Sequence, residues 1–227
     1  RIADQVLLNK RSREKADSAR TDYKKKVQGT IDMANRIAKF VDCASKDPQE
    51  RELYIVEGDS ALGSCKQGRD ATFQALMPVR GKILNCLKTD LDKIFKSEII
   101  TDLVKVIGCG AEIRGKSGKD LSMFDLNALR YKRIIICTDA DVDGYQIRTL
   151  ILTMFYRLIP TLIEKGYVYI AETPLYEISC GKDTFFAFDD AEKASILQKL
   201  EGKKVKIQRS KGLGENTGEM MWETTMN

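Results

Sequence analysis

Two acidic clusters carry the chemistry that this chain could do: Glu57-Gly58-Asp59-Ser60 and Asp139-Ala140-Asp141-Val142-Asp143-Gly144. Each closes an apolar run, Leu53 to Val56 in the first case and Arg133-Ile134-Ile135-Ile136-Cys137-Thr138 in the second. Carboxylates at the end of a buried strand need a counter-charge, and a divalent cation is the usual one. On extended backbone Asp139, Asp141 and Asp143 would share one face, so Asp139 and Asp141 could grip one hard cation together. If the strand of Glu57 lies beside theirs, Glu57 completes a three-carboxylate cage suited to Mg²⁺. Two basic turns point the same way. Arg80-Gly81-Lys82-Ile83-Leu84-Asn85 and Lys211-Gly212-Leu213-Gly214-Glu215 set cations around glycines, where backbone can approach a phosphate closely. Together the acids and the turns outline a groove for a phosphodiester backbone, with metal-assisted chemistry on phosphate.

Three other readings compete. A calcium-binding helix-loop-helix would need Glu at the twelfth position of the Asp run, where Leu150 stands, and a helix upstream where this chain has a strand. That reading fails. A phosphohydrolase with Asp139 as aspartyl nucleophile, aided by Asp189-Asp190, stays open, but it leaves Glu57-Gly58-Asp59 and the basic turn without a task. Ordinary turns and helix caps would account for one acidic cluster, though not for two that each close an apolar strand.

The elements that must position these residues follow from patterning. The expected strands are Leu53–Val56, Ala75–Val79, Ile134–Thr138, Tyr167–Ala171, Phe185–Phe188 and Val205–Gln208. The expected helices are Ala61–Gln67, Asp90–Ile107, Tyr145–Glu164 and Asp190–Leu200, with a glycine- and lysine-rich loop at Gly110–Gly118. The alternation predicts an α/β fold, a doubly wound and mainly parallel sheet with C-terminal tail elements. Its ligand would lie beyond the carboxyl ends of the strands. Residues 1–30 carry nine Lys or Arg against four acids, which predicts an exposed helix or arm. The 227 residues, 43% hydrophobic, suit one large domain with appendages. A net charge of +5 permits an acidic partner without requiring one. Six cysteines without a C-x-x-C pair, and no histidine, argue against zinc and for reduced thiols in a cytoplasmic setting. The apolar stretch from Ile147 to Ile163 contains Arg148, Arg157 and Pro160, so it reads as a buried helix rather than a membrane span. The chain opens on Arg1 in mid-pattern and stops at Asn227 just after an expected helix, so it is expected to be a piece of something longer.

Several strings together resemble the B subunits of bacterial type IIA DNA topoisomerases (gyrase and topoisomerase IV). They are Tyr54-Ile55-Val56-Glu57-Gly58-Asp59-Ser60-Ala61, Lys66-Gln67-Gly68-Arg69-Asp70, Arg80 to Asn85, Thr138 to Gly144, Ile147-Arg148-Thr149-Leu150, Lys211 to Glu215 and Met221-Trp222-Glu223-Thr224-Thr225-Met226. The resemblance implies a Rossmann-like Toprim domain over residues 31–190. It implies the end of a transducer domain or helical linker over 1–30, and over 191–227 a tail that contacts DNA or the A subunit. It implies that Glu57, Asp139 and Asp141 are Mg²⁺ ligands and catalytic residues, with Asp143 a supporting acid and Mn²⁺ or Ca²⁺ able to substitute in binding. Glu57 would also act as general acid and base on the 3′ oxygen of a cleaved strand. Arg80, Lys82, Asn85, Gln146, Arg148 and Lys211 would contact double-stranded DNA. The nucleophile would be a tyrosine of the A subunit in an A₂B₂ heterotetramer, and ATP would bind only to a domain upstream; no membrane contact is expected. The chain departs from the family pattern at Leu62, where a glycine is common, at Gln146, where histidine is common, at Ser210 in place of tyrosine, and at Thr217-Gly218 where proline is common.

Overall fold

The computed structural model describes residues 37–112, 123–209 and 212–227, together with 5–7, 9–11, 14, 18 and 21. The described residues before 22 are helical and exposed, as an outlying arm should be. Most of the expected arm, residues 113–118 of the expected loop, Ser210 and Lys211 lie outside the described residues.

Four strands form a parallel sheet in the order β2-β1-β3-β4. They are β1 (Glu52–Glu57), β2 (Gln74–Val79), β3 (Arg133–Cys137) and β4 (Val168–Ile170). Helix α1 (Gly58–Gly68) joins β1 to β2, and α2 (Leu91–Ile94) and α3 (Glu98–Ile107) lie between β2 and β3. Helices α4 (Val142–Leu158) and α5 (Pro160–Glu164) connect β3 to β4. Strand alternation divides the core between two faces. Leu53, Ile55, Ile134 and Ile136 pack against Leu103, Ile107, Ile151 and Phe155 of α3 and α4. Tyr54, Val56, Ile135 and Cys137 pack with Ala61 and Cys65 of α1 and with Leu213, Met221 and Met226. Helices on both faces make the sheet doubly wound, as expected. From β1 the chain runs outward to β2, then returns to the opposite side of β1 as β3. The sheet therefore has its switch point between β1 and β3, where a crevice opens at the carboxyl ends.

Three expectations need correction. The helix expected over Asp90–Ile107 is two helices, because Phe95 leaves helical geometry at the end of α2 and buries its ring, and Ser97 then opens α3. The helix expected over Tyr145–Glu164 begins earlier, at Val142, since Asp141 caps it by accepting the N–H of Gly144 at 2.7 Å. It also stops at Leu158: Pro160 has no N–H and biases Ile159 out of helical geometry (φ −147°, ψ 55°), then opens α5. The late strands do not complete the parallel sheet. An unforeseen strand, β5 (Tyr176–Cys180), pairs with β6 (Asp183–Ala187) and β7 (Lys206–Arg209) in a separate antiparallel sheet of order β6-β5-β7. A two-residue turn at Gly181 (φ 65°) closes the β5–β6 hairpin, which leaves no length for a parallel crossover. Helix α6 (Asp190–Lys199) covers this sheet, whose small core is Tyr176, Ile178, Ala187 and Leu200. The stretch around Ile151 and Phe155 is buried core, and among the described residues no helix is long and apolar enough to cross a membrane. All six cysteines are free thiols.

Candidate metal and nucleic-acid site

The two acidic clusters meet at the switch point. Glu57 ends β1, β1 and β3 pair directly with Val56 opposite Cys137, and Asp139 follows two residues after β3. One oxygen of Glu57, Oε2, accepts the backbone N–H of Asp139 at 3.1 Å. Asp139 Oδ1 in turn accepts the N–H of Leu213 at 2.8 Å. Gly212 lies so close that a Cβ there would stand 2.8 Å from Asp139 Oδ2. Asp141 spends Oδ1 on the α4 cap. Asp143 falls in the first turn of α4, so the extended alternation ends at Asp141, and Asp143 instead pairs with Lys82 at 2.9 Å.

Burial, first of all, pushes the Glu57 carboxyl above its ordinary range, and the charges of Asp139, Asp141 and Asp143 add to this against the relief from the Asp139 N–H. Asp139 is raised for the same reasons, by burial and then by the charges of Asp141 and Glu215, with the Leu213 N–H opposing. These acids thus crowd one crevice, and of them Asp143 has an ion-pair partner among the described residues, Lys82. As they stand, no three acidic or cysteine side chains among the described residues are arranged as a closed ion cage. The donor set nevertheless suits a hard cation. Glu57, Asp139 and Asp141 each give one oxygen to a backbone N–H, and the other oxygen of each accepts no hydrogen bond among the described residues. A set of spare carboxylate oxygens with no nitrogen or sulfur donor matches Mg²⁺, Mn²⁺ or Ca²⁺ and not zinc.

A rim of cations surrounds the acids. Arg80 is exposed and pairs with Asp59 at 3.3 Å, while Lys39 pairs with the same carboxylate. The Lys39 bond, ahead of Arg80, holds the Asp59 carboxyl below its ordinary range. Lys82 is exposed, and Arg148 donates through Nε to Thr138 Oγ1 at 3.3 Å, immediately before Asp139. Gln146 is exposed on α4. Asn85 is half-buried and uses Oδ1 within its own turn, on the N–H groups of Leu87 and Lys88. The rim therefore brings together Arg80, Lys82, Gln146 and Arg148 as expected residues, while Lys211 lies outside the described residues.

Sequence reasoning missed two parts of the site. One is Lys39, held in left-handed backbone at φ 65° and linked to Asp59; it stands 20 positions away with no motif around it. The other is the Gly212–Leu213 backbone, expected only as a phosphate turn, which closes instead on Asp139. Its lack of a side chain at position 212 was the available signal. The rival pair Asp189-Asp190 is spent on the other sheet, with Asp189 capping α6 through the N–H of Glu192 and Asp190 accepting from the Tyr176 hydroxyl.

The Toprim domain family matches residues 52–173. A family described as the carboxyl terminus of the DNA gyrase B subunit matches residues 202–227. Over its whole length the chain is 48% identical to the DNA gyrase B subunit of Thermotoga maritima, and 47% identical to that of Thermus thermophilus. It is 49% identical to the DNA gyrase B subunit of Halalkalibacterium halodurans. In each case the chain spans 34% of the relative's length.

Proposed function

Because the chain belongs to the Toprim domain family, we propose that it is the divalent-cation part of the DNA cleavage and religation centre of a type IIA topoisomerase. The observation that carries this reading is the meeting of Glu57 and Asp139 at the switch point, each with a spare carboxylate oxygen, inside a cationic rim. Glu57, Asp139 and Asp141 would hold Mg²⁺, with Asp143 keeping Lys82 at the rim. When bound, the cation would offset negative charge that builds on the phosphate in the transition state. The Gly212–Leu213 backbone fixes the orientation of Asp139, and burial together with the neighbouring acids raises the Glu57 carboxyl's hold on a proton. A partner tyrosine hydroxyl attacks the phosphorus and releases its proton to solvent, the bond to the 3′ oxygen breaks, and Glu57 gives that oxygen its proton. Reversal returns the proton to Glu57 and reseals the strand. Arg80, Lys82, Asn85, Gln146, Arg148 and Lys211 would hold the duplex through its phosphates.

The rest of the assembly belongs to the same proposal: an A subunit bearing the tyrosine, an A₂B₂ heterotetramer in the cytoplasm, and ATP bound upstream of this chain. The division into linker (1–30), Toprim domain (31–190) and tail (191–227) is part of it too.

The test is a cleavage assay with the partner subunit, duplex DNA and Mg²⁺, scored for covalent protein–DNA adducts. Adducts on the partner that disappear with Glu57→Gln or with chelator are the expected result. Normal adduct yield from either Glu57→Gln or Asp139→Asn overturns the assignment.

A further inference from the structure

Tyr145 has no structural reason to be an aromatic residue where it stands. It occupies the first turn of α4, two residues after Asp143, and is 50% exposed. The buried side of α4 is made by Gly144, Ile147, Ile151, Met154, Phe155 and Leu158, so burial does not account for the ring. What the ring does touch is Arg148, whose guanidinium carbon lies 5.2 Å from its centre. Arg148 is also tied through Nε to Thr138, the residue next to Asp139. Its two terminal amino groups make no hydrogen bond or ion pair among the described residues. From Gly144 to Leu158 the helix carries no acidic residue, so nothing on α4 beyond Asp143 competes for that guanidinium.

We propose that Tyr145 is a positioning residue: its ring face and the Thr138 hydroxyl together pin Arg148 so that both free amino groups grip one phosphate of the duplex beside Asp139. A guanidinium held flat loses less freedom when it forms a two-pronged phosphate contact, and a ring beneath it adds attraction for its charge. A lysine at position 148 would lack both the plane and the fork. The inference rests on the nucleic-acid reading of this face and names a residue which that reading did not include.

The experiment measures affinity for a short DNA duplex as a function of salt, using the chain assembled with its partner subunit. The variants are Tyr145→Phe, Tyr145→Ala, Arg148→Ala, the Tyr145→Ala/Arg148→Ala pair, and Lys82→Ala. Arg148→Ala should reduce the salt-dependence slope by about one, the loss of a single phosphate contact. Tyr145→Ala should weaken binding by about threefold to fivefold, and Tyr145→Phe should match the wild type. In the Arg148→Ala background Tyr145→Ala should have no further effect. Additive losses, or a Tyr145→Phe variant as weak as Tyr145→Ala, overturn the positioning role. If Arg148→Ala and Lys82→Ala weaken binding while Tyr145→Ala does not, this inference alone falls. If neither Arg148→Ala nor Lys82→Ala changes binding, the nucleic-acid reading falls with it.

Discussion

Among single residues, the site is an arrangement of carboxylates that the fold holds at some cost. Glu57 and Asp139 are raised above the ordinary Glu and Asp values of 4.5 and 3.8 by burial and by like charges. The folded chain without cation therefore binds these protons more tightly than the unfolded chain. The associated stability is present below the ordinary carboxylate range and is lost as pH rises through the raised values. Asp59, held low by Lys39, works in the opposite sense and loses its contribution as pH falls. The diagnostic is thus the difference between variants. In thermal melts of cation-free protein, Glu57→Gln and Asp139→Asn should unfold at higher temperature than wild type at neutral pH, with the gap closing towards about pH 4. Gly212→Ala makes a different point. Its new Cβ would press on Asp139 Oδ2 at 2.8 Å, so cleavage adducts should fall roughly 10- to 100-fold with little change in the melting temperature.

Among the elements, β1 brings Glu57 to the crevice only if its first residues are anchored. Arg51, directly before β1, is 2% exposed, pairs with Asp42, lies 4.7 Å from the Tyr131 ring centre and leaves Nε without a partner among the described residues. Arg69 adds a second tie, from the end of α1 to the carbonyl oxygens of Asp42 and Gln74. A buried guanidinium is costly when it loses its counter-charge and much less so when it is replaced by a hydrophobic side chain. Asp42→Ala should therefore cost about 3–5 kcal/mol in urea unfolding, and Arg51→Met clearly less. The same elements show what local pattern reveals. β1 and β3 were legible from their apolar runs, whereas local pattern puts the start of α4 three residues late, because it takes Asp141 and Asp143 as extended. The breaks at Phe95 and Ile159 interrupt otherwise continuous helical spacing, so periodicity passed over them.

Across the whole molecule, the unrelieved acids predict strong linkage between cation and fold. A ligand that binds only the folded state adds about 2.7 kcal/mol at a hundred times its Kd, which for a chain of this size is a rise of roughly 5–10 °C in Tm. Addition of Mg²⁺ should produce that rise, chelator should reverse it, and Asp139→Asn should abolish most of it, all read by calorimetry. An unchanged wild-type Tm at saturating Mg²⁺ would contradict a cation at this site. The antiparallel β5–β7 sheet keeps its own small core, apart from the parallel sheet that carries Glu57 and Asp139.

Local pattern was enough to specify the four parallel strands and the family to which the motifs belong. An alternation of period two, a cap, or a glycine between cations can be read within a few residues. Packing in three dimensions was needed to make β1 and β3 neighbours, so that Glu57 meets Asp139 across 82 positions, and to close Leu213 on Asp139 across 74. The same packing brought Lys39 to Asp59 and set β5–β7 apart as a second sheet. Such pairings depend on which apolar faces bury one another most completely, and that choice is made by the packing of the whole chain and leaves no mark at either partner.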